Sequence, residues 1–353
     1  MTPSETVVDG MEDEDSQISK SETEVYDRQI RLWGIEAQNK LRHSHVLIVG
    51  LRGLGAEVAK NLVLCGLNSM QIVDPEPTTE EDTLSNFFLQ KDSIGKPRGT
   101  ATLPGLQALN PLVKIDCAQS IDQVDLSSFT LVVYSDQSYD VVKEANEKCR
   151  SLGIRFISCS IFGWIGYSFV DFNNHSFLVR KEKPVTVMDL EGTTAVDDTD
   201  KATLVEDEED QFETKSLEYP SFADALNVDW QTKKLIRKSR GLLPSSYFPL
   251  RALIRLSSEG GMAGDEEKDI EKVKEQWRKE LEIVGHGEEG QSIGLDKAEY
   301  VMGGQLSAVC AVVGGFVGQE SIKALTGGKN PLRNLLIYSA LDSSARVCNF
   351  PPK

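Results

Sequence analysis

Cysteine is scarce in this chain and never grouped into a motif. Six stand in 353 residues, at Cys65, Cys117, Cys149, Cys159, Cys310 and Cys348, with no CxxC. That spacing excludes a zinc ribbon and a disulfide frame, and it fits reduced thiols of the cytosol or nucleus. The stretch 160–309 holds none. A thioester-forming enzyme needs an accessible cysteine whose thiolate is favoured; each of these reads instead as a small buried hydrophobe. Histidine is equally thin: His43 and His45 precede the first strand, and His175 and His286 stand alone. With no His-x-x-x-His or Glu-x-x-His pair, a metal site and a serine-hydrolase triad both lack support. Excess basic charge is missing too, since the net charge is −17, so nothing marks a nucleic-acid partner. The N-terminus lacks the apolar stretch of a signal peptide. No apolar run is read as approaching the ~18–20 residues of a membrane helix, so no membrane partner is expected.

The negative charge is concentrated. Residues 1–22 carry seven acids and one lysine, and residues 187–213 carry eleven acids and one lysine. Acidic stretches poor in aromatics are expected to be solvated and disordered. Within the second, Leu204 and Val205 stand beside five acids in ATLVEDEED (202–210). That is loosely the pattern of a strand that adds to a sheet edge, against the plainer reading of an acidic loop.

Elsewhere strands and helices alternate. Residues 23–40 read as a helix with Tyr26, Ile30 and Trp33 on one face and Arg28 near the opposite one. VLIV (46–49), MQIVD (70–74), VKIDC (113–117), TLVVYS (130–135) and IRFIS (154–158) read as strands. The first is followed by a helix from about Leu54 that Gly66 ends. Before the last lies a helix with Val141, Val142, Ala145, Cys149 and Leu152 inward. The pattern argues for an α/β fold with a doubly wound, mostly parallel sheet. A mixed helical region (219–256), a linker (Ser257–Gly264) and an amphipathic helix (265–284; Ile270, Val273, Trp277, Leu281, Val284) follow. Residues 308–325 read as a buried helix with Gly314, Gly315 and Gly318 for close packing, and Asn334–Ala340 and Arg346–Phe350 as closing strands. The organisation expected is an acidic tail (1–22), a first α/β part (23–180), a helical insertion (181–300) and a return to the α/β domain (301–353).

VLIVGLRGLG (46–55) is how a Rossmann-type strand, loop and helix begin. Gly50, Gly53 and Gly55 are present, but Arg52 stands where the second glycine of G-x-G-x-x-G belongs. A backbone cradle for phosphate needs no side chain there. Arg52 either reaches out to phosphate or marks a site out of use, and the second reading is preferred. Asp74 lies 24 residues after Gly50, near the offset of a ribose-binding acid. The loop and Asp74 alone would also admit an NAD(P)-linked oxidoreductase, although no proton-relay residue accompanies them.

YDRQIRLWGIEAQ (26–38) is more specific. With VLIVGLRGLGAEVAKNLVLCG (46–66), YPSFADALNVDW (219–230) and VCAVVGGFVGQESIKAL (309–325), the chain resembles the non-catalytic subunits of heterodimeric activating enzymes for ubiquitin-like proteins. The SUMO branch fits better than the NEDD branch, whose subunit carries a larger insertion. The likeness covers nearly everything after about residue 22. It implies a fold of ThiF/MoeB type, a catalytic partner subunit that holds ATP and Mg, and SUMO and a SUMO-conjugating enzyme reached through the complex. It also implies a nuclear location, with cytoplasm as the alternative.

Catalytic members of the family adenylate a modifier's C-terminal glycine with a set of residues that this chain keeps only in part. Gly50, Gly53, Gly55, Asp74, Ser85, Asn86 and Asp136 match. Arg52, Glu76, Phe88, Leu89, Arg98 and Gln137 do not. Phe88 and Leu89 replace an Asn and an Arg that would face developing phosphate charge. The resemblance therefore implies a pseudo-enzyme with no confident cofactor or metal site of its own. A self-sufficient homodimeric adenylating enzyme is the alternative, built on Arg52, Arg98, Asp74 and Asp136. Arg28 matches an arginine that, in the family, reaches across the dimer to the ATP of the partner. By its helix pattern alone it is an ordinary solvated arginine.

Overall fold

Val46 and Ile48 point to one side of a strand, Leu47 and Val49 to the other, and all four are buried. A strand apolar on both faces must lie inside a sheet covered by two layers. The computed structural model, which describes residues 20–180, 212–230, 243–258, 266–289, 291–328 and 330–351, places it there. Strand β1 (His45–Val49) pairs in parallel with β2 (Ser69–Val73) and β4 (Leu131–Ser135). Beyond these lie β3 (Lys114–Ala118) and β5 (Arg155–Phe162), also parallel. Val46 sits in register with Met70 on one side and Leu131 on the other.

The expectation of a mostly parallel sheet needs correction on its other half. After β5 the chain turns at Gly163 and Trp164 directly into β6 (Ile165–Asp171), and a two-residue connection permits only an antiparallel return. Strands β9 (Leu335–Ser339) and β10 (Ser344–Cys348) continue that half antiparallel, giving the order β10-β9-β6-β5-β4-β1-β2-β3. Strands β7 (Asn174–Arg180) and β8 (Phe212–Glu218) form a separate two-stranded sheet. The sequence reading missed β6, β7 and β8. The tail 1–19 and most of the acidic stretch 187–213, ATLVEDEED included, lie outside the described residues. Helix α1 (Lys20–Trp33) begins within the segment assigned to the tail, and Phe212 and Glu213 belong to β8.

The helix expected over 23–40 is two helices. Gly34 adopts a φ of +88°, a left-handed conformation that α-helix geometry excludes, and α2 (Ile35–Arg42) starts afresh after it. Helix α3 (Gly53–Leu64) is followed by Gly66 at φ +83°, where a Cβ would lie 2.6 Å from the ring of Tyr26. Two crossover helices, α4 (Glu80–Ser85) and α5 (Arg98–Leu109), join β2 to β3, and α6 (Tyr139–Ser151) joins β4 to β5. Helix α6 buries Val142, Ala145, Asn146 and Cys149. Val141 and Leu152 are exposed, contrary to expectation. Asn146 takes the inward place because its amide donates to Asp171 and its carbonyl accepts from the Phe222 N–H, both at 2.8 Å.

The described part of 181–300 covers one face of the sheet. Helices α7 (Phe222–Leu226), α8 (Tyr247–Ser258), α9 (Glu266–Val284) and α10 (Ala298–Met302) bring Phe222, Phe248 and Trp277 into one core with Leu47, Val132 and Tyr134. A buried Arg251–Glu280 pair at 2.8 Å ties α8 to α9. The expected linker is shorter than Ser257–Gly264, since α8 runs through Ser258.

The opposite face is covered by α3 and α11 (Ser307–Thr326). A Cβ on Gly314 would lie 2.6 Å from that of Glu57, and one on Gly318 2.9 Å from that of Asn61, so these two glycines set the close approach. Gly315 faces outward, with nothing within 4 Å. Helix α11 is long and apolar enough to cross a membrane, which corrects the expectation that no run approaches that length. More than half of it is buried in the protein, and its Glu320 carboxylate accepts from Lys323 at 2.6 Å and from the Leu332 N–H at 2.6 Å.

Candidate functional site

In open α/β sheets, ligands bind beyond the carboxyl ends of the parallel strands. Here Gly50, Asp74 and Asp136 follow β1, β2 and β4, three adjacent strands, so the structure brings these expected residues together. The glycines have steric reasons of their own. Gly50 has a φ of +88°, and a Cβ there would lie 2.2 Å from the Ser135 carbonyl oxygen. A Cβ on Gly55 would lie 2.2 Å from the Gly50 carbonyl oxygen, and one on Gly53 2.6 Å from Ser85 Cβ.

Two of the loop's backbone donors are engaged within the protein. The Leu51 N–H donates to Asp74 Oδ2 at 2.6 Å, and the Leu54 N–H, at the start of α3, donates to Gln305 Oε1 at 3.2 Å. Arg52 precedes α3 in an extended conformation and turns its side chain to α4, with Nε 3.2 Å from Asp82 Oδ1.

Asp74, the candidate ribose acid, is held by a fork. Arg98 Nε and one terminal nitrogen donate to its two oxygens at 2.8 and 3.1 Å. The other terminal nitrogen donates to Asp82 Oδ2 at 2.8 Å. Asp74, Asp82 and Arg98 are all buried. Burial works against ionised Asp82, but the Thr79 N–H and the Arg98 guanidinium outweigh it and hold its carboxyl below the ordinary value. Burial likewise opposes charge on Arg98, and Asp74 followed by Asp82 raises it above the ordinary value. The result is a continuous run, Asp74–Arg98–Asp82–Arg52.

Asp136 is a different acid. It sits at φ +56° and accepts from the Ile161 N–H at 3.1 Å and from Ser135 Oγ at 2.8 Å. Burial raises its pKa, despite hydrogen bonds from Gln305, Ile161 and Ser135 that act the other way. Gln137 donates to the Ser135 carbonyl at 2.9 Å. A cleft of about 360 Å³ opens beside it, lined among others by Arg52, Asp136, Ser160, Leu253 and Gln305. Among the described residues no three His, Cys, Asp or Glu side chains are grouped to hold a metal ion.

The motif positions around the site are packed and bonded within the protein. Asn86 is fully buried and donates to the Leu51 carbonyl at 3.0 Å and to Thr102 Oγ1 at 3.2 Å. Phe88 lies against Gly105, where a Cβ would meet its ring at 2.5 Å, and Leu89 is buried. Glu76 keeps a backbone role, its carbonyl accepting from the Arg98 N–H at 2.8 Å. Five of the six cysteines are buried and Cys117 is partly so. Burial pushes Cys65, Cys149 and Cys310 up to about 12 and Cys348 up to about 11, far from a reactive thiolate.

Arg28 is elsewhere. Helix α1 packs by Tyr26 against Gly66 and by Gln29 Nε2 on the Leu64 carbonyl at 3.0 Å, at the far end of α3 from the glycine loop. Twelve helical residues separate the ends by roughly 18 Å. Arg28 is exposed and its side chain makes no hydrogen bond or ion pair with any described residue, whereas Arg31 on the same helix pairs with Asp27 at 3.0 Å.

Sequence reasoning missed Asp82 and Gln305. Asp82 had a local signal: Thr79-x-x-Asp82 is a capping box, with the Asp82 N–H on Thr79 Oγ1 and the Thr79 N–H on Asp82. Gln305 had none, being 251 residues from Leu54.

The ThiF family profile matches residues 26–353. The chain is 40% identical over 346 residues to the SUMO-activating enzyme subunit aos-1 of Caenorhabditis elegans, covering 95% of this chain and 99% of that protein. It is 34% identical over 344 residues to SUMO-activating enzyme subunit 1 of Homo sapiens, covering 95% and 97%. Among solved structures, Escherichia coli MccB with succinimide matches at a TM-score of 0.53 and 12% identity, over 92% of this chain and 71% of that one, which is a likeness of fold.

Proposed function

Because this chain belongs to the ThiF family, in the branch of the SUMO-activating enzyme subunit 1 proteins, we propose that it is the non-catalytic half of a heterodimeric SUMO-activating enzyme. Its partner subunit holds ATP and Mg, adenylates SUMO and forms the thioester on its own cysteine. The complex then passes SUMO to a conjugating enzyme, in the nucleus or the cytoplasm.

The fork between Arg98 and Asp74 is the observation that carries the non-catalytic assignment. A carboxylate with both oxygens bound to a buried guanidinium is not available to a ribose, and opening it would leave buried charge unpaired. Two backbone donors of the loop, Leu51 and Leu54, are bound within the protein as well, and Leu89 stands where the family's cationic side chain would face phosphate charge.

An uncovered apolar surface supports a partner. Leu32 is 67% exposed, Leu84 75% and Phe87 53%, and Leu64 and Val312 are exposed beside them. A groove of about 530 Å³ runs between α1, α3 and α11. Apolar area of this kind marks an interaction face. On the same side of the fold, Arg28 is too far from the chain's own loop to serve it, which suits a guanidinium that reaches the ATP phosphates of the partner subunit.

Pyrophosphate exchange tests the reading. The purified chain with SUMO and MgATP should give none, and adding the catalytic subunit should restore it in a one-to-one complex. Exchange by the chain alone would establish a self-sufficient adenylating enzyme instead.

A further inference from the structure

The vacated nucleotide site is not slack. Its acids are bound from within, and the chain of bonds leads out to the surface. Arg98 joins Asp74, at the end of β2, to Asp82, in α4, with 2.8 Å contacts to each. Asp82 also closes the α4 capping box and receives Arg52. Two turns of chain after Thr79, Asn86 fastens the other end of α4 to the Leu51 carbonyl. So a six-residue helix, too short to persist alone, is pinned at both ends by the residues that would face a nucleotide in an active site.

What α4 presents is apolar. Leu84 and the following Phe87 project into solvent. They adjoin α11 and α3: Ser307 Oγ donates to the Leu84 carbonyl at 2.9 Å, and Lys60 Nζ lies 5.2 Å from the centre of the Phe87 ring. The pair therefore extends the face of Val312, Leu64 and Leu32, whose occupant, on the function proposed above, is the catalytic subunit.

We propose that Arg98 is a built-in occupant of the ribose position which, through Asp82, fixes α4 so that Leu84 and Phe87 meet the catalytic subunit. The pseudo-site then has a present use: it converts a ligand-binding crossover into a rigid docking ridge. Arg98 is a positioning residue, touching neither substrate nor partner. Lysine at this place would keep a charge but lose the fork, since an ammonium cannot span both oxygens of Asp74 and one of Asp82 in a plane.

The test titrates the full chain, wild type, Arg98→Ala and Arg98→Lys, into the catalytic subunit with SUMO and MgATP, and reads adenylation. For Arg98→Ala the concentration giving half-maximal rate should rise about tenfold, with the plateau recovered at saturation; for Arg98→Lys the rise should be smaller. Hydrogen exchange on the free chain should quicken in residues 75–97 and stay slow in β4 and β5. The isolated wild type should show no saturable MgATP binding at millimolar nucleotide. An unchanged half-maximal concentration, a loss of protection throughout the sheet, or saturable MgATP binding by the wild type would each overturn the proposal. If the wild type itself failed to activate any catalytic subunit, the proposed function would fall rather than the role of Arg98.

Discussion

Arg98 and Arg28 lie toward opposite ends of the same helix-covered face and differ in what answers their charge. Arg98 is buried, and its guanidinium is shared between two buried carboxylates. Arg28 is exposed and its side chain makes no bond with any described residue. A buried guanidinium without partners would be untenable, and Asp74 and Asp82 supply those partners. An exposed guanidinium carries no such obligation, because water solvates it. The charges beside the loop are answered from within the fold, and that of the Arg28 side chain is answered by no described residue.

The sharpest break of that comparison is in the loop. Gly55→Val would force a Cβ to within 2.2 Å of the Gly50 carbonyl oxygen, and should cost about 4 kcal/mol or more in urea unfolding. If the loop were only a relic of ligand binding, the cost would be near zero. Next, Arg28→Ala in the assembled enzyme should slow adenylation about a hundredfold, or about 2.7 kcal/mol in barrier. Unfolding and assembly should not change, and an unaltered rate would return Arg28 to the class of solvated helix arginines. The smallest effect concerns acid. Asp82 is held below its ordinary value, so its ionised form stabilises the fold above about pH 3.9, and that contribution is lost as the pH falls through its lower folded value. Asp82→Asn should remove about 1–2 kcal/mol at neutral pH and flatten the acid limb of a stability profile. A limb identical to wild type would mean that the Arg98 pair does not contribute.

Periodicity exposed most of the sheet and the long helices, because burial repeats every two or every 3.6 residues and leaves its trace in local sequence. It failed where a polar group took an inward place. Val141 and Leu152 looked as apolar as Val142, yet Asn146 is buried through partners at Asp171 and Phe222, a choice that no window of the sequence records. Strands β7 and β8 escaped for a similar reason: their partners stand across the acidic stretch, and pairing over such a separation has no local signature. Glycine was ambiguous in the same way. Gly314 and Gly315 are adjacent and chemically identical, but only the first lies against α3.

The sequence by itself determined the Rossmann-like start, the presence of Phe88 and Leu89 at positions where the family's catalytic members differ, and the absence of any cysteine between 160 and 309, since each depends on which residues are present. It left Arg98 as a departure from the family pattern, and Arg28 as one arginine among several. Only the tertiary structure decided that Arg98 closes Asp74 and Asp82 together and that the Arg28 side chain, near the far end of α3, bonds to no described residue. The physical reason is that the cost or use of a charge depends on its surroundings, and those surroundings are assembled from segments far apart in the chain.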